Sequence, residues 1–217
     1  MKPWELWNEI YNAEYTVSGD GVDWTVKVYD DEKIVRLLFQ GSNDSHDWIN
    51  NFNFPIRPYK KQENTLWVAS GWAKAYTSCN DIVMQKFIEV VNEYCGKNYS
   101  IEICGYSFGG ALALLAAEDF YFRTQKKVSV ITFGAPKPLF GKKTFDYVNS
   151  CVTSATQYAH VNDMIPYLVP FYGYRMLNKV KVGDGFCLFK LFNTNKYHLI
   201  YGDPSIYAES EDNKKSY

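Results

Sequence analysis

The sequence predicts an α/β fold in which a mostly parallel central sheet carries helices on both faces. Three observations lead there. Between residues 100 and 161, short runs suited to strands alternate with longer helical ones. One such run, Ile101-Glu102-Ile103-Cys104, passes through a glycine-rich turn straight into the strong helix former Ala111-Leu112-Ala113-Leu114-Leu115. A strand–helix–strand–helix–strand order makes each helix a crossover between parallel neighbours.

At 217 residues the chain is long enough for one domain with a sizeable core. Residues 1–208 are expected to form it, with the charged stretch 209–217 as a disordered tail. The net charge of −1 indicates neither nucleic-acid affinity nor a polybasic membrane patch. Cys79, Cys95, Cys104, Cys151 and Cys187 are odd in number, scattered and without metal-type spacing, so neither a disulfide framework nor a metal site is expected. Residues 1–10 carry Glu5 and Glu9 and no continuous apolar core, and no apolar run approaches a membrane span. The expectation is a cytoplasmic protein without a signal peptide or transmembrane segment.

Taken in order, Trp4, Trp7, Ile10 and Tyr11 fall at three- and four-residue spacing and predict an amphipathic helix. The runs 23–29 and 33–40 flank Asp30-Asp31-Glu32 and predict an N-terminal β-hairpin. Residues 41–59 lose any regular period. With Trp48, Phe52, Phe54, Pro55 and Pro58 they predict a loop or short helix, either a lid over a cleft or a loop that packs its rings into the core. Residues 66–69 predict a strand, and Ala73, Tyr76, Val83, Phe87, Val91 and Tyr94 the buried face of a long helix over 72–94. A strand over 100–105, a helix over 108–122, a strand over 128–133, a helix over 137–150 and a strand over 153–161 follow. Around Gly183-Asp184-Gly185, residues 180–192 predict a second hairpin.

The chemistry centres on Gly105-Tyr106-Ser107-Phe108-Gly109, between a predicted strand and a predicted helix. A serine on so tight a turn takes a strained backbone conformation that pushes its hydroxyl clear of its neighbours. The flanking positions must then be nearly free of side chain. The helix start aims N–H groups at the place where an oxyanion would develop. A serine hydroxyl is a poor nucleophile until a base takes its proton, and the base needs an acid to hold its tautomer.

The chain has three histidines, His46, His160 and His198. After a strand–turn–helix nucleophile the acid comes next and the histidine last. Only Glu118, Asp119 and Asp146 lie between Ser107 and His160, all in predicted helices that point away from the strand ends. His198 remains. Among the acids before it, Asp184 is taken up by a turn. Asp163 directly follows a β run and precedes Pro166, which places it at a strand end on the same edge as Ser107. The reading is Ser107 as nucleophile, Asp163 as acid and His198 as base.

With these residues in order, the chain resembles the class 3 (fungal triacylglycerol lipase-like) branch of the α/β-hydrolases. Phe39-Gln40-Gly41-Ser42 looks like that family's F-R-G-[ST] strand end, and Gly105-Tyr106-Ser107-Phe108-Gly109-Gly110 its G-H-S-L-G-G. Phe133-Gly134-Ala135-Pro136 resembles its F-G-x-P, Asp163-Met164-Ile165-Pro166 its acid loop, and Tyr197-His198 its histidine loop. The resemblance implies Ser42 and the Phe108 N–H as oxyanion donors. It makes Asp47-Trp48-Ile49 the start of a lid helix, so that Trp48, Ile49, Phe52 and Phe54 would line a lid or acyl pocket. Asn51 falls where many members anchor the oxyanion hydroxyl with an aspartate. Tyr106 replaces the usual histidine, Phe108 a leucine and Gln40 an arginine, and Ala69 stands where a histidine is common.

The implied activity is hydrolysis of carboxylic esters, acylglycerols or other lipid esters, through an acyl-enzyme. No metal or organic cofactor is needed, and the substrate is a lipid or small ester, met at a membrane or lipid interface. Two alternatives share the scaffold: a non-catalytic lipid-binding or interaction module, and a thioesterase or peptidase.

Overall fold

The computed structural model describes residues 1–41, 55–61, 64–167, 174–187 and 194–207. Helix α1 (Pro3–Asn12) starts on Pro3, whose fixed φ suits the first helical position. The Lys2 backbone N–H donates to Glu5 Oε2 at 2.7 Å and closes that first turn. Strands β1 (Thr16–Ser18), β2 (Val22–Tyr29) and β3 (Ile34–Phe39) follow. Then come β4 (Ile56–Lys61), β5 (Asn64–Ala69) and the long α2 (Ser70–Glu93). Strand β6 (Ser100–Tyr106) leads into α3 (Phe108–Thr124), then β7 (Val128–Phe133), β8 (Leu139–Phe140), α4 (Lys142–Ser150) and β9 (Val152–His160). The last elements are β10 (Tyr174–Arg175), β11 (Lys179–Val182), the short α5 (Thr194–His198) and 3₁₀ turns at Ile200–Gly202 and Pro204–Tyr207.

The main sheet runs β1-β2-β3-β6-β7-β9-β11. The predicted N-terminal hairpin is there, with Tyr29 opposite Ile34, and β1 adds to it antiparallel. From β3 onward every neighbour is parallel. In register, Phe39 meets Gly105, Tyr106 meets Phe133, and Val182 meets His160. All these strands therefore end along one edge, where ligands meet open parallel sheets.

Alternation along the strands divides the core in two. Val35, Leu37, Ile103 and Val130 pack beneath α2, α3 and α4. Leu38, Cys104, Tyr106 and Phe133 face the other way, onto Leu6, Trp7 and Ile10 of α1 and onto Tyr201, Ile206 and Tyr207. That second layer is tight. A Cβ on Gly202 would lie 2.7 Å from both Asn8 Oδ1 and Trp7 Cζ3. Helix α3 is buried continuously from Gly109 to Phe120, which explains an Ala/Leu run with no polar face. At its far end the buried Asp119 accepts from the Tyr76 hydroxyl at 3.0 Å and from Arg123 Nε at 2.9 Å. Paired donors of this kind are what a buried charge requires. Asp119 serves packing, remote from Ser107.

Two sequence expectations change, and a third falls partly outside the described residues. Residues 56–61 form a strand, β4, in a second sheet of order β10-β8-β5-β4. Pro58 faces Trp67 on an edge strand, where a missing N–H costs no ladder bond, so proline there does not signal a loop. Of the expected second hairpin, 180–192, the first arm is β11, which runs parallel to β9, and residues 188–192 lie outside the described residues. Gly183, just after β11, has φ +86° and a Cβ position 2.1 Å from His160 Nε2. Glycine there leaves room for that side chain. The helix predicted over 137–150 begins only at Lys142, because Leu139 and Phe140 are drawn into the second sheet. The expected tail, 209–217, lies outside the described residues.

Among the described residues no helix is long and apolar enough to cross a membrane, and no cluster of His, Cys, Asp and Glu could hold a metal ion. All five cysteines are free.

Candidate active site

Ser107 is the single residue between β6 and α3. Its φ of 55° and ψ of −124° are unfavourable for a residue with a Cβ. The surroundings enforce them. The Ser107 N–H donates to Phe133 O at 2.9 Å, and its carbonyl accepts from Gly110 N–H at 3.0 Å. The helix also starts hard against the end of β3, since a Cβ on Gly109 would lie 2.3 Å from Gln40 O. The predicted strand–turn–helix is therefore present, and its hydroxyl is turned toward the strand-end edge.

His198 and Asp163 arrive there from separate loops. His198 ends α5, with Nε2 2.7 Å from Ser107 Oγ and Nδ1 2.8 Å from Asp163 Oδ2. Asp163 is fully enclosed and His198 is 7% exposed, so bulk water is excluded from the pair. The carboxylate keeps further donors: Ile165 N–H at 2.9 Å on Oδ1 and the Tyr201 hydroxyl at 2.7 Å on Oδ2. Such donors offset the cost of burying a charge. With a carboxylate at Nδ1, the imidazole carries its proton on that nitrogen and turns the Nε2 lone pair to the Ser107 hydroxyl. The arrangement can take a proton from Ser107 and hold the resulting imidazolium.

Two tyrosines complete the surroundings. Tyr201 is fully buried, accepts the His160 N–H at 2.9 Å, and its phenol is pushed far above its ordinary value by burial and by Asp163. Tyr106 donates to the His198 carbonyl at 2.9 Å, and its ring lies 4.9 Å from the imidazole. Sequence reasoning missed the first and treated the second as a passive replacement. The only sequence signal for Tyr201 was its place one helical turn beyond His198.

His160 takes no part. It is buried, stacks on Tyr197 at 5.1 Å and accepts the Asn162 N–H at Nδ1 at 3.1 Å. Phe108 opens α3, so its N–H belongs to the helix start beside Ser107. Gly41 brings the end of β3 to the same spot, with a Cβ position 3.1 Å from Ser107 Cβ. The remaining predicted residues, Ser42, Trp48, Ile49, Asn51, Phe52 and Phe54, lie outside the described residues.

A strained serine at a strand–helix turn, joined to a buried histidine and aspartate in the chain order serine, acid, histidine, is the arrangement that the α/β-hydrolase fold presents. Residues 36–173 match the lipase (class 3) family, and the chain belongs to that family. A lipase of Rhizopus niveus is 30% identical over 148 residues, which is 65% of this chain and 36% of that protein. Phospholipase A1-IIbeta of Arabidopsis thaliana is 23% identical over 167 residues, 64% of this chain and 39% of that one. The chain thus spans well under half the length of these relatives. In fold, it matches Rhizomucor miehei triacylglyceride lipase with a TM-score of 0.71 at 22% identity, over 79% of this chain and 66% of that one.

Proposed function

We propose that the chain is a serine hydrolase of the triacylglycerol lipase or esterase type, cleaving carboxylic esters of lipids. The observation that carries this reading is the unbroken chain Ser107–His198–Asp163, at 2.7 and 2.8 Å with its last two members buried. His198 takes the Ser107 proton as Oγ attacks the ester carbonyl, and Asp163 stabilises the imidazolium. The Phe108 N–H and Ser42 hold the oxyanion. The proton passes to the departing alcohol, leaving an acyl group on Ser107. Water, deprotonated in turn by His198, attacks the acyl carbon, and His198 returns that proton to Ser107 Oγ as the carboxylic acid leaves.

Relatives named lipase and phospholipase A1 favour acyl esters of glycerolipids as the substrate class. We include substrates met at a lipid interface, and take from the family resemblance a lid or acyl-pocket role for Trp48, Ile49, Phe52 and Phe54 and a supporting role toward Ser42 for Asn51. Five free cysteines favour a reducing compartment such as the cytoplasm. The test is hydrolysis of p-nitrophenyl esters from butyrate to palmitate, beside a Ser107→Ala control. Turnover that vanishes in the control supports the reading. Turnover that survives it, or none at any chain length from a folded protein, would overturn it.

A further inference from the structure

Helix α5 is five residues long, too short to hold its own shape in water. Its final carbonyls have no partner within the helix. One of them belongs to His198, the proposed base, and it accepts the Tyr106 hydroxyl at 2.9 Å. Tyr106 is covalently joined to Ser107, whose Oγ meets the other end of the same histidine at 2.7 Å. The two contacts and the peptide bond close a ring: Tyr106 hydroxyl, His198 carbonyl, imidazole, Ser107 hydroxyl.

We infer that Tyr106 is a positioning residue for the base, its hydroxyl holding the His198 backbone while Ser107 meets the imidazole, so that one dipeptide grips the histidine at both ends. This rests on the hydrolase reading above.

Tyr106 cannot easily yield. It ends β6 in register with Phe133 and is 5% exposed. Trp7 packs edge-on to its ring at 5.6 Å, Tyr11 at 6.2 Å and Tyr201 at 6.5 Å. A Cβ on Gly41 would already lie 3.0 Å from its Cδ1. Burial and the nearby Asp163 hold its phenol protonated well above the ordinary tyrosine range, so the donor persists wherever the base works. The geometry also explains how a lone turn of helix delivers a catalytic group accurately. The strand end that presents the nucleophile sets the place of the base as well.

The experiment compares Tyr106→Phe, which removes one oxygen and keeps the ring, with Tyr15→Phe. Tyr15 also gives its hydroxyl to a backbone carbonyl, that of Ile10, in the same layer but away from His198. Tyr106→Phe should lower kcat about tenfold or more at unchanged KM, the size of effect a small misplacement of a reacting group produces. The rate at which a fluorophosphonate modifies Ser107 should fall in step. Tyr15→Phe should leave both rates as they were. A kcat for Tyr106→Phe within about twofold of wild type, or an equal loss in Tyr15→Phe, would overturn the assignment. A wild-type protein that neither turns over esters nor reacts with the fluorophosphonate sinks the hydrolase reading instead. The grip is then judged by the His198 imidazole NMR signals: displacement in Tyr106→Phe supports it, and superposition with wild type refutes it.

Discussion

The phenol of Tyr201 and the imidazole of His198 converge on a single oxygen, Oδ2 of Asp163, at 2.7 and 2.8 Å. The same phenol oxygen accepts the His160 N–H, so Tyr201 ties the acid to the end of β9. Removing it with Tyr201→Phe leaves a buried N–H without its acceptor and takes a donor from a buried carboxylate. Stability should fall by about 1–3 kcal/mol, the usual cost of orphaning buried polar groups. Turnover should drop at little-changed KM, since Tyr201 is fully buried. Denaturant titration beside steady-state kinetics checks both, and an unchanged kcat would remove Tyr201 from the machinery.

The strain at Ser107 makes a second expectation. Its φ of 55° and ψ of −124° suit glycine, and a residue with a Cβ held in such a region costs roughly 1–3 kcal/mol. Ser107→Gly should therefore raise Tm while abolishing turnover. The gain is trimmed by the larger entropy glycine loses on folding. Ser107→Ala, which keeps the Cβ, should be inactive without that gain. Equal Tm values for the two variants would show that the turn stores no strain.

Gly134 and Gly96 form a natural pair. Both have positive φ, +57° and +81°. A Cβ on Gly134 would lie 2.9 Å from His198 Cε1 and 3.0 Å from Asp163 Oδ2, whereas one on Gly96 meets nothing within 4 Å. Alanine at either position should cost about 1–2 kcal/mol of backbone strain. Only Gly134→Ala should also lose activity, by pushing apart the imidazole and its carboxylate. Comparable activity in the two folded variants would contradict that.

Alkali should destabilise the fold before carbonate-range pH is passed. Burial pushes the thiols of Cys79 and Cys151 from 9.0 to about 11, and the phenols of Tyr76 and Tyr201 rise well above 10.0. The unfolded chain releases these protons first, so it gains charge while the folded chain does not, and stability falls as pH rises through that window. For the thiols the window is 9.0 to about 11. Thermal melts from neutral pH upward should show Tm falling from about pH 9, and a flat Tm to pH 11 would refute the burial argument.

Features written in short stretches of sequence were legible. Ser107 could be placed from a strand, five residues of turn and an Ala/Leu helix, because neighbours in the chain set all three. Asp163 followed from where a parallel strand ends, which topology fixes, and His198 from the chain order and the elimination of the other histidines. Pairings across long separations were not legible. Strand β4 carries Pro58 and takes its identity from β5 opposite. Strand β11 looked like half a hairpin because the glycines after it resemble a turn, and its parallel pairing with β9 was not visible. Tyr201 reaches Asp163 across 38 residues, and Tyr106 reaches His198 across 92. Neither bond leaves a trace in local pattern, since a buried tyrosine reads the same whether it packs or donates.

Helix α1 and the turns at Ile200–Gly202 and Pro204–Tyr207 come from opposite ends of the described chain, yet they share one layer beneath the sheet. Closing so long a separation surrenders much loop entropy, and the expected order puts these contacts late. The strands and α3 can thus assemble with Ser107 already strained into place while its hydroxyl is still an ordinary alcohol. It becomes a nucleophile only when the closing stretch lowers His198 onto it. On that order, reactivity is the last property this chain is expected to acquire as it folds, and the first to go when that layer lifts.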